Sequence, residues 1–580
     1  MSSTTEKKII QGHRYRWLFS VAHDEQACQL ASKYNLCVPL AQTLINRGFD
    51  CSDKIEPFLF AACEQEVGDP RDLKDAQKAV ERIKQAIETK EKILIVGDYD
   101  VDGVTATALM MLCLMQQQAN VNFFLPHRVH DGYGISSSIV RKAVVSGYRL
   151  IITVDNGIAA FDAACEARAG NVDLIITDHH LPHENIPDAY AVVDPLQIDC
   201  AYPFKSLAGV GVAFKVMLLW YDILGQQLPS KVFELLMLGT IADMVSLLGE
   251  NRYWVRKGLA CANQEPSYAL TYLMQQAKLE HKLAASDVAY SLAPQLNALG
   301  RLQDPRQGVI FLVSENREEV ARIGDTLFSL NQARKELERG IIDEINGLIH
   351  TRKIDLEHER VIVAASKTWP LGVIGLVASR LVNEYARPVL LFHIGEDAFA
   401  RGSARSIPAF NIFEALADNA GLLDHFGGHA AAAGMRLSVQ HIGALKESLD
   451  VRMHELVKPE DLVLKIGIDA SISLSDATAK CVDDFDYFEP CGVMNASPLF
   501  HIPGVTLVEA PRLLKNAHVK CRVFSQGIIK PIIFFNSPQL YPVLCTYGDQ
   551  QFDFVGEIVE NYWRGMRSIE FKGVDIAMVK

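Results

Sequence analysis

The stretch KILIVGDYDVDGVTATALMMLCLMQQ, Lys92 to Gln117, decides how this chain is read. After Lys92 comes a short apolar run of strand type. Three carboxylates, Asp98, Asp100 and Asp102, follow on alternate residues, and from Val104 the apolar spacing becomes helical. Gly103 lets the backbone turn sharply into that helix. A strand passing into a helix in this way is a unit of a parallel, helix-covered sheet, in which ligands bind at the carboxyl ends of the strands. Three ionised carboxylates at one strand end repel each other, and a divalent cation offsets the repulsion. Taken alone, the cluster also fits a solvated acidic turn or a helix cap. A calcium loop begins in the same way, but the distal Glu it needs is replaced by Leu109.

Further along, NVNFFLP (120–126), RLIITVD (149–155), DLIITDHH (173–180) and AYAVVD (189–194) read as more buried strands, with helical spacing between several of them. Their ends add Asp155, Asp178, His179 and His180, and LGTIADMVSL (238–247) adds Asp243 within an apolar setting. A lone buried Asp is costly without a partner. Neutral imidazole with carboxylate suits manganese, iron, zinc or cobalt better than calcium. Singly, the histidines fit caps or core positions and Asp243 fits a helix N-cap. Together they converge on a metal centre.

Beyond this region, Ser267 to Ile354 is mainly helical and charged, ending in a long helix that joins two lobes. Glu359 to Val457 carries a second α/β pattern with the Gly- and Ala-rich run GGHAAAAGM. Val463 to Lys580 holds short β-type runs that suggest a small barrel or sandwich. The expected organisation is an N-terminal extension (1–74), a catalytic domain (75–265), a helical linker region (266–355), a second α/β domain (356–458) and a C-terminal β-rich domain (459–580). Hydrophobic residues at 49% and charged residues at 22% exclude a disordered or fibrous chain, and a formal charge of −13 argues against coating nucleic acid by bulk charge. It leaves room for a local basic groove. The 12 cysteines form no C-x-x-C pair, so neither a zinc ribbon nor a thioredoxin-type site is signalled. Scattered thiols and the absence of a signal peptide or a spanning segment point to a cytoplasmic protein with no membrane association.

GDYDVDG (97–103), VDNG (154–157), DHH (178–180), IADMV (241–245), WPLGVIG (369–375), RGSAR (401–405) and GGHAAAAG (427–434) resemble, in order, the motifs of the DHH phosphoesterase family. The last three resemble its DHH-associated domain. With QLNALGRL (295–302) and the β-rich C-terminus, the chain is most similar to the family's single-strand-specific 5′→3′ exonucleases. The resemblance runs from about Asp75 onward.

It implies an α/β fold: a parallel-sheet DHH domain and an α/β DHH-associated domain joined by a long helix, plus a C-terminal OB-like domain. It also implies two divalent ions, Mn2+ or Mg2+, working by two-ion phosphodiester hydrolysis. On this chain Asp98 would bind one ion and Asp100 the other, Asp155 would bridge, and His179 and Asp243 would complete the second ion's coordination. Asp178 would orient a histidine, His180 would face the scissile phosphate, and Asp102 would be structural or support the ligands. Many members carry a His shortly before the first Asp; here Ile95, Val96 and Gly97 stand there, so the first ion would keep more water. Substrate would be held by Arg128, by Asn297 and Arg301, by Arg401, Ser403 and Arg405, and by a phosphate-cradling loop at Gly427, Gly428 and His429.

The C-terminal region from Asp461 has 11 Lys/Arg against 14 Asp/Glu. Yet Arg512, Lys515, His518, Lys520 and Arg522 cluster, and on strands they would line a groove where Phe524 stacks bases. The resemblance further implies single-stranded DNA with a 5′ phosphate as substrate, DNA repair and recombination as the setting, a single-strand-binding protein and a helicase as partners, and a monomer. Two alternatives stand beside it: a DHH hydrolase of short oligonucleotides or cyclic dinucleotides, and a non-catalytic nucleic-acid-binding relative.

Overall fold

The structure, a computed structural model, describes residues 8–60, 67–127, 132, 134–563 and 566–579. Arg128 therefore lies outside the described residues. The chain divides into two compact units: one of residues 56–333 with 488–496, the other of residues 1–55, 334–487 and 497–580.

The first unit is built on a five-stranded sheet of β1 (Lys92–Val96), β2 (Asn120–Phe124), β3 (Tyr148–Val154), β4 (Asp173–Thr177) and β5 (Ala191–Val193). All neighbours are parallel, in the order β2-β1-β3-β4-β5. Alternate residues face two separate cores. Ile93, Ile95, Leu150, Ile152 and Ile175 join α1 (Val101–Gln116) and α4 (Gly209–Leu224). Leu94, Val96, Ile151, Leu174 and Ile176 join α2 (Ser137–Val145) and α3 (Phe161–Ala169). Coverage on both faces explains why the central strands read as unbroken apolar runs. NVNFFLP departs from the expectation of a buried strand: β2 lies at the sheet edge and is only partly buried. The strand order reverses between β1 and β3, and Asp98 and Asp155 follow those two strands, at the switch point where such sheets bind ligands. The short segment 488–496 returns to this unit. Phe488 O accepts from Arg252 Nη1 at 3.0 Å, and Val493 O accepts from Leu247 N at 3.0 Å.

The second unit holds a mixed sheet of β6 (Ile362–Ser366), β7 (Val389–Ile394), β8 (Phe399–Arg405), β9 (His425–His429) and β10 (Ala432–Ser438), in the order β9-β10-β8-β7-β6. The helix Leu371–Tyr385 packs against β7 and β8. Further along, strands Phe500–Leu507, Phe552–Trp563, Met566–Met578, Ile528–Phe534 and His518–Ser525 pair in succession. The first and last also pair with each other, so the sheet closes into a barrel, the OB-like architecture the sequence suggests.

The residues before Asp75, which carry no motif, do not all stand apart. Ile9–Gln11 and Arg16–Phe19 form a three-stranded sheet with Lys465–Ile468. The carboxylate of Asp575, fully buried, accepts Trp17 Nε1 at 2.9 Å, Tyr15 N at 2.9 Å and Arg14 N at 3.1 Å. Asp575→Ala leaves these three donors without their acceptor. It is expected to destabilise this unit by about 3 kcal/mol, because buried unsatisfied donors keep their desolvation cost. Thermal unfolding of the variant checks this, and an unchanged transition would refute it.

Candidate active site

Each acidic side chain reaches the site through a local device. Asp98 follows β1, and Gly103 packs so closely beneath it that a Cβ there would lie 2.5 Å from Asp98 N. Asp100 caps α1, its Oδ1 accepting Gly103 N at 3.1 Å. Asp155 ends β3 with a left-handed backbone, φ 62°, a conformation Asp tolerates better than most residues. Gly209, the first residue of α4, lies against it: a Cβ there would meet the Asp155 carboxylate at 2.5 Å. Asp243 follows α5 (Ser230–Ala242) as its C-cap, not as an N-cap.

Ligand-type atoms of Asp98, Asp100 and Asp155 all lie within 4.8 Å of one another, as do those of Asp102, His179 and Asp243, and those of Asp155, His179 and His180. Asp155 and His179 thus each belong to two groups. His179 Nε2 sits 3.2 Å from Asp155 Oδ1, 3.7 Å from Asp243 Oδ2 and 3.8 Å from Asp102 Oδ2. That nitrogen is buried and, among the described residues, makes no hydrogen bond. Asp100 falls in the group with Asp98, whereas the resemblance assigns the two to different ions.

Burial, followed by the charges of Asp102, Asp100, Asp98 and Asp243, pushes Asp155 well above the carboxylate range. Asp243 and Asp102 are raised by burial and by neighbouring carboxylates. Burial and the His180 charge push His179 down to about 4, so its imidazole is neutral at pH 7 with a lone pair to give. Buried carboxylates raised by mutual repulsion, around a neutral imidazole with an unpartnered nitrogen, fit divalent cations of the manganese or magnesium kind.

Three polar residues hold this arrangement in place. Asp102 is buried and spends both oxygens on the N-terminus of α4, accepting Gly209 N at 2.7 Å and Val210 N at 2.8 Å. Asp178 accepts His179 N at 2.8 Å, His180 N at 3.2 Å, Ile158 N at 2.9 Å and His180 Nδ1 at 2.7 Å. Burial alone would lower His180, but the Asp178 hydrogen bond and charge hold it up at about 9. Sequence reasoning passed over Asn156. Fully buried, it donates to Val96 O at 3.0 Å and Val154 O at 2.9 Å and accepts Ile135 N at 3.1 Å. It ties the strand ends before Asp98 and Asp155 to the start of α2. The only signal was its place in VDNG, an amide at the end of an apolar strand.

Asn297 and Arg301 ride on α6 (Ala293–Leu302), and Gly300 between them lies against the Tyr99 carbonyl, so this helix meets the loop that carries Asp98 and Asp100. In the other unit Arg401, Ser403 and Arg405 alternate along β8 and share one face. Arg405 Nη1 donates to Ser403 Oγ at 3.0 Å, with Gly375 of the helix Leu371–Tyr385 directly opposite. Gly427, Gly428 and His429 form no loop; they lie on the edge strand β9, paired with β10, because Gly428 and Ala433 pack too closely for a side chain between them. In the barrel Arg512 stands opposite Lys520, Arg522 and Phe524 follow on the same face, and Lys515 lies in the intervening turn. His518 accepts Asn536 N at 3.0 Å through Nδ1.

Residues 92–240 match the DHH family, N-terminal domain, residues 358–455 the DHHA1 domain and residues 468–575 the RecJ OB domain, so fold and site together define the DHH class. The single-stranded-DNA-specific exonuclease RecJ of Bacillus subtilis is 34% identical, over 97% of this chain and 71% of that protein. Its Escherichia coli counterpart is 33% identical over 86% and 89%. The crystal structure of RecJ in complex with Mn2+ from Thermus thermophilus superposes with a TM-score of 0.81 at 26% identity, covering 98% of this chain and 80% of that one. The chain belongs to the RecJ family.

Asn156→Ala removes the tie between the two strand ends and is expected to lower turnover about 10–100-fold, as loss of a supporting contact does at metal sites. Steady-state kinetics at saturating metal check this, and turnover equal to the parent's would refute it. Carboxyl groups raised above their ordinary range hold protons at pH 6 that a cation must displace, and fewer remain at pH 8. Mn2+ is therefore expected to raise the melting temperature more at pH 8 than at pH 6. A shift equal at both pH values would contradict this.

Proposed function

We propose that this chain is a metal-dependent exonuclease that degrades single-stranded DNA 5′→3′ to 5′-mononucleotides. The observation that carries the reading is the convergence of Asp98, Asp100, Asp102, Asp155, His179 and Asp243 at the strand ends of the first unit. The relatives named as single-stranded-DNA-specific exonucleases, the Mn2+-bound RecJ structure and the OB domain supply its substrate and its cofactor class. Two divalent ions, Mn2+ or Mg2+, held there would supply Lewis-acid activation of water and neutralise charge on the scissile phosphate.

The chain's own residues do the rest. Asp155, common to two of the ligand groups, would be shared between the ions, and Asp98, Asp100, His179 and Asp243 would fill out the donor sets. Asp102 fixes the start of α4 against them. His180, held by Asp178 and kept positive, faces the phosphate and steadies its charge. Asn297 and Arg301 line the strand's path, and Arg128 is the further substrate-binding arginine that the resemblance implies. Arg405 and Ser403, already aligned with each other, take the terminal 5′ phosphate with Arg401, Gly428 and His429, since a planar guanidinium matches phosphate oxygens bidentately. The barrel face of Arg512, Lys515, Lys520, Arg522 and Phe524 holds the strand farther along by charge and stacking.

Such an enzyme works as a monomer in the cytoplasm, in DNA repair and recombination, on strands that a helicase exposes and a single-strand-binding protein covers. Among the described residues no helix is long and apolar enough to cross a membrane.

With Mn2+, a 5′-labelled, 5′-phosphorylated single strand is expected to release labelled mononucleotide at once, while a blunt duplex is spared and chelation stops the reaction. Arg405→Ala is expected to raise KM for the 5′-phosphorylated strand by about 10-fold or more and to narrow its advantage over a 5′-hydroxyl strand. Release from the 3′ end first would overturn the polarity. An unchanged phosphate preference in the variant would remove Arg405 from the terminal pocket.

A further inference from the structure

Cys37 and Cys481, 444 residues apart in sequence, bring their sulfurs to 3.1 Å within the second unit. Cys37 caps the helix Val38–Asn46, and Cys481 lies in the first turn of the helix Ala479–Phe485. The approach is braced on both sides. Cys37 N donates to Asp484 Oδ2 at 2.6 Å. Lys480 Nζ donates to Asn35 O at 2.5 Å and to the Asp484 carboxylate at 3.1 Å. Thr478 Oγ1 accepts Cys481 N at 3.2 Å. The backbone on either side of each thiol is therefore fixed by contacts that do not involve sulfur. A disulfide bond is about 2.05 Å long, so the two sulfurs need to close by only about 1 Å. Cys481 is fully buried, whereas Cys37 is partly exposed, so one partner of the pair can be reached from solvent.

We propose that Cys37 and Cys481 form a thiol–disulfide modification site, in which a small disulfide oxidant joins the two helices covalently. The Cys37 thiolate attacks one sulfur of the oxidant, giving a mixed disulfide at Cys37 and releasing one small thiolate. The Cys481 thiolate then attacks the Cys37 sulfur and expels the second small thiolate. Each protein thiol loses a proton, the two departing thiolates take them up, and the two electrons reduce the oxidant. Cys37, the partner that solvent reaches, makes the opening attack, and Cys481, buried beside it, makes the second. The bond closes a loop from the helix Val38–Asn46 to the C-terminal part of the chain and so restricts the unfolded state. This site is independent of the nuclease chemistry.

The test treats the full-length protein with oxidised glutathione, removes the excess, unfolds it in an alkylating reagent and identifies the peptides by mass spectrometry. The expected result is a cross-linked peptide pair carrying Cys37 and Cys481. The mass should fall by two hydrogen atoms, and the melting temperature should rise by several degrees until dithiothreitol reverses it. Cys37→Ser and Cys481→Ser should each abolish the cross-link, while Cys28→Ala, at an exposed cysteine, should leave it intact. Recovery of Cys37 and Cys481 as alkylated thiols would overturn the proposal. So would glutathione retained on Cys37 with Cys481 still alkylated.

Discussion

Burial, together with the nearby charges of Asp102 and Asp100, raises the affinity of Asp155 and Asp243 for protons. Without a counter-charge the arrangement costs free energy, and the rest of the first unit is organised to bear that cost. A parallel sheet covered on both faces supplies the rigid frame. Its order reversal opens the crevice into which the strand ends discharge their acidic side chains. A cation turns the same repulsion into binding energy, so a destabilising cluster persists in a well-packed fold.

The chemical division among the acidic residues follows from their hydrogen bonds. Asp102 and Asp178 are as buried as Asp155, yet their oxygens are occupied by backbone N–H groups. They hold loops. Asp178 also fixes the orientation and charge of His180, while the neighbouring His179 is kept neutral by burial. Two adjacent histidines thereby acquire opposite protonation states, one suited to a cation and the other to an anion. Asn156 plays the same supporting part with an amide, which can donate to two strand carbonyls at once where a carboxylate cannot.

The second unit offers nucleic acid a different kind of surface. Alternation along β8 sets Arg401, Ser403 and Arg405 on one face, and pairing across the barrel strands sets Arg512 and Lys520 opposite each other with Arg522 beyond. A chain with a strongly negative total thus still sets short, strand-ordered rows of positive charge on this unit.

The α/β class, the parallel, helix-covered sheet, the clustering of carboxylates and histidines and the family were legible in the sequence. They depend on local signals: continuous apolar runs, carboxylates at strand ends, and glycines where two backbones touch. The family resemblance set Asp102 and Asp178 apart from Asp98 and Asp155, whereas composition and spacing alone did not, because all four are acidic residues close after apolar strands. In the fold, Gly209 and Val210 bring N–H groups onto the Asp102 carboxylate, and Ile158 brings one onto Asp178. Sequence reasoning read Gly427 to His429 as a loop, because glycine signals a turn and an edge strand alike. It read little before Asp75, because Trp17 finds its partner at Asp575, and no local pattern encodes a contact across 558 residues. Local pattern was enough to specify which chemistry the chain carries and where along the chain it sits. Folding settled which carboxylate oxygens meet backbone N–H groups, and which thiols meet, since those outcomes depend on backbone groups and side chains brought together from distant segments.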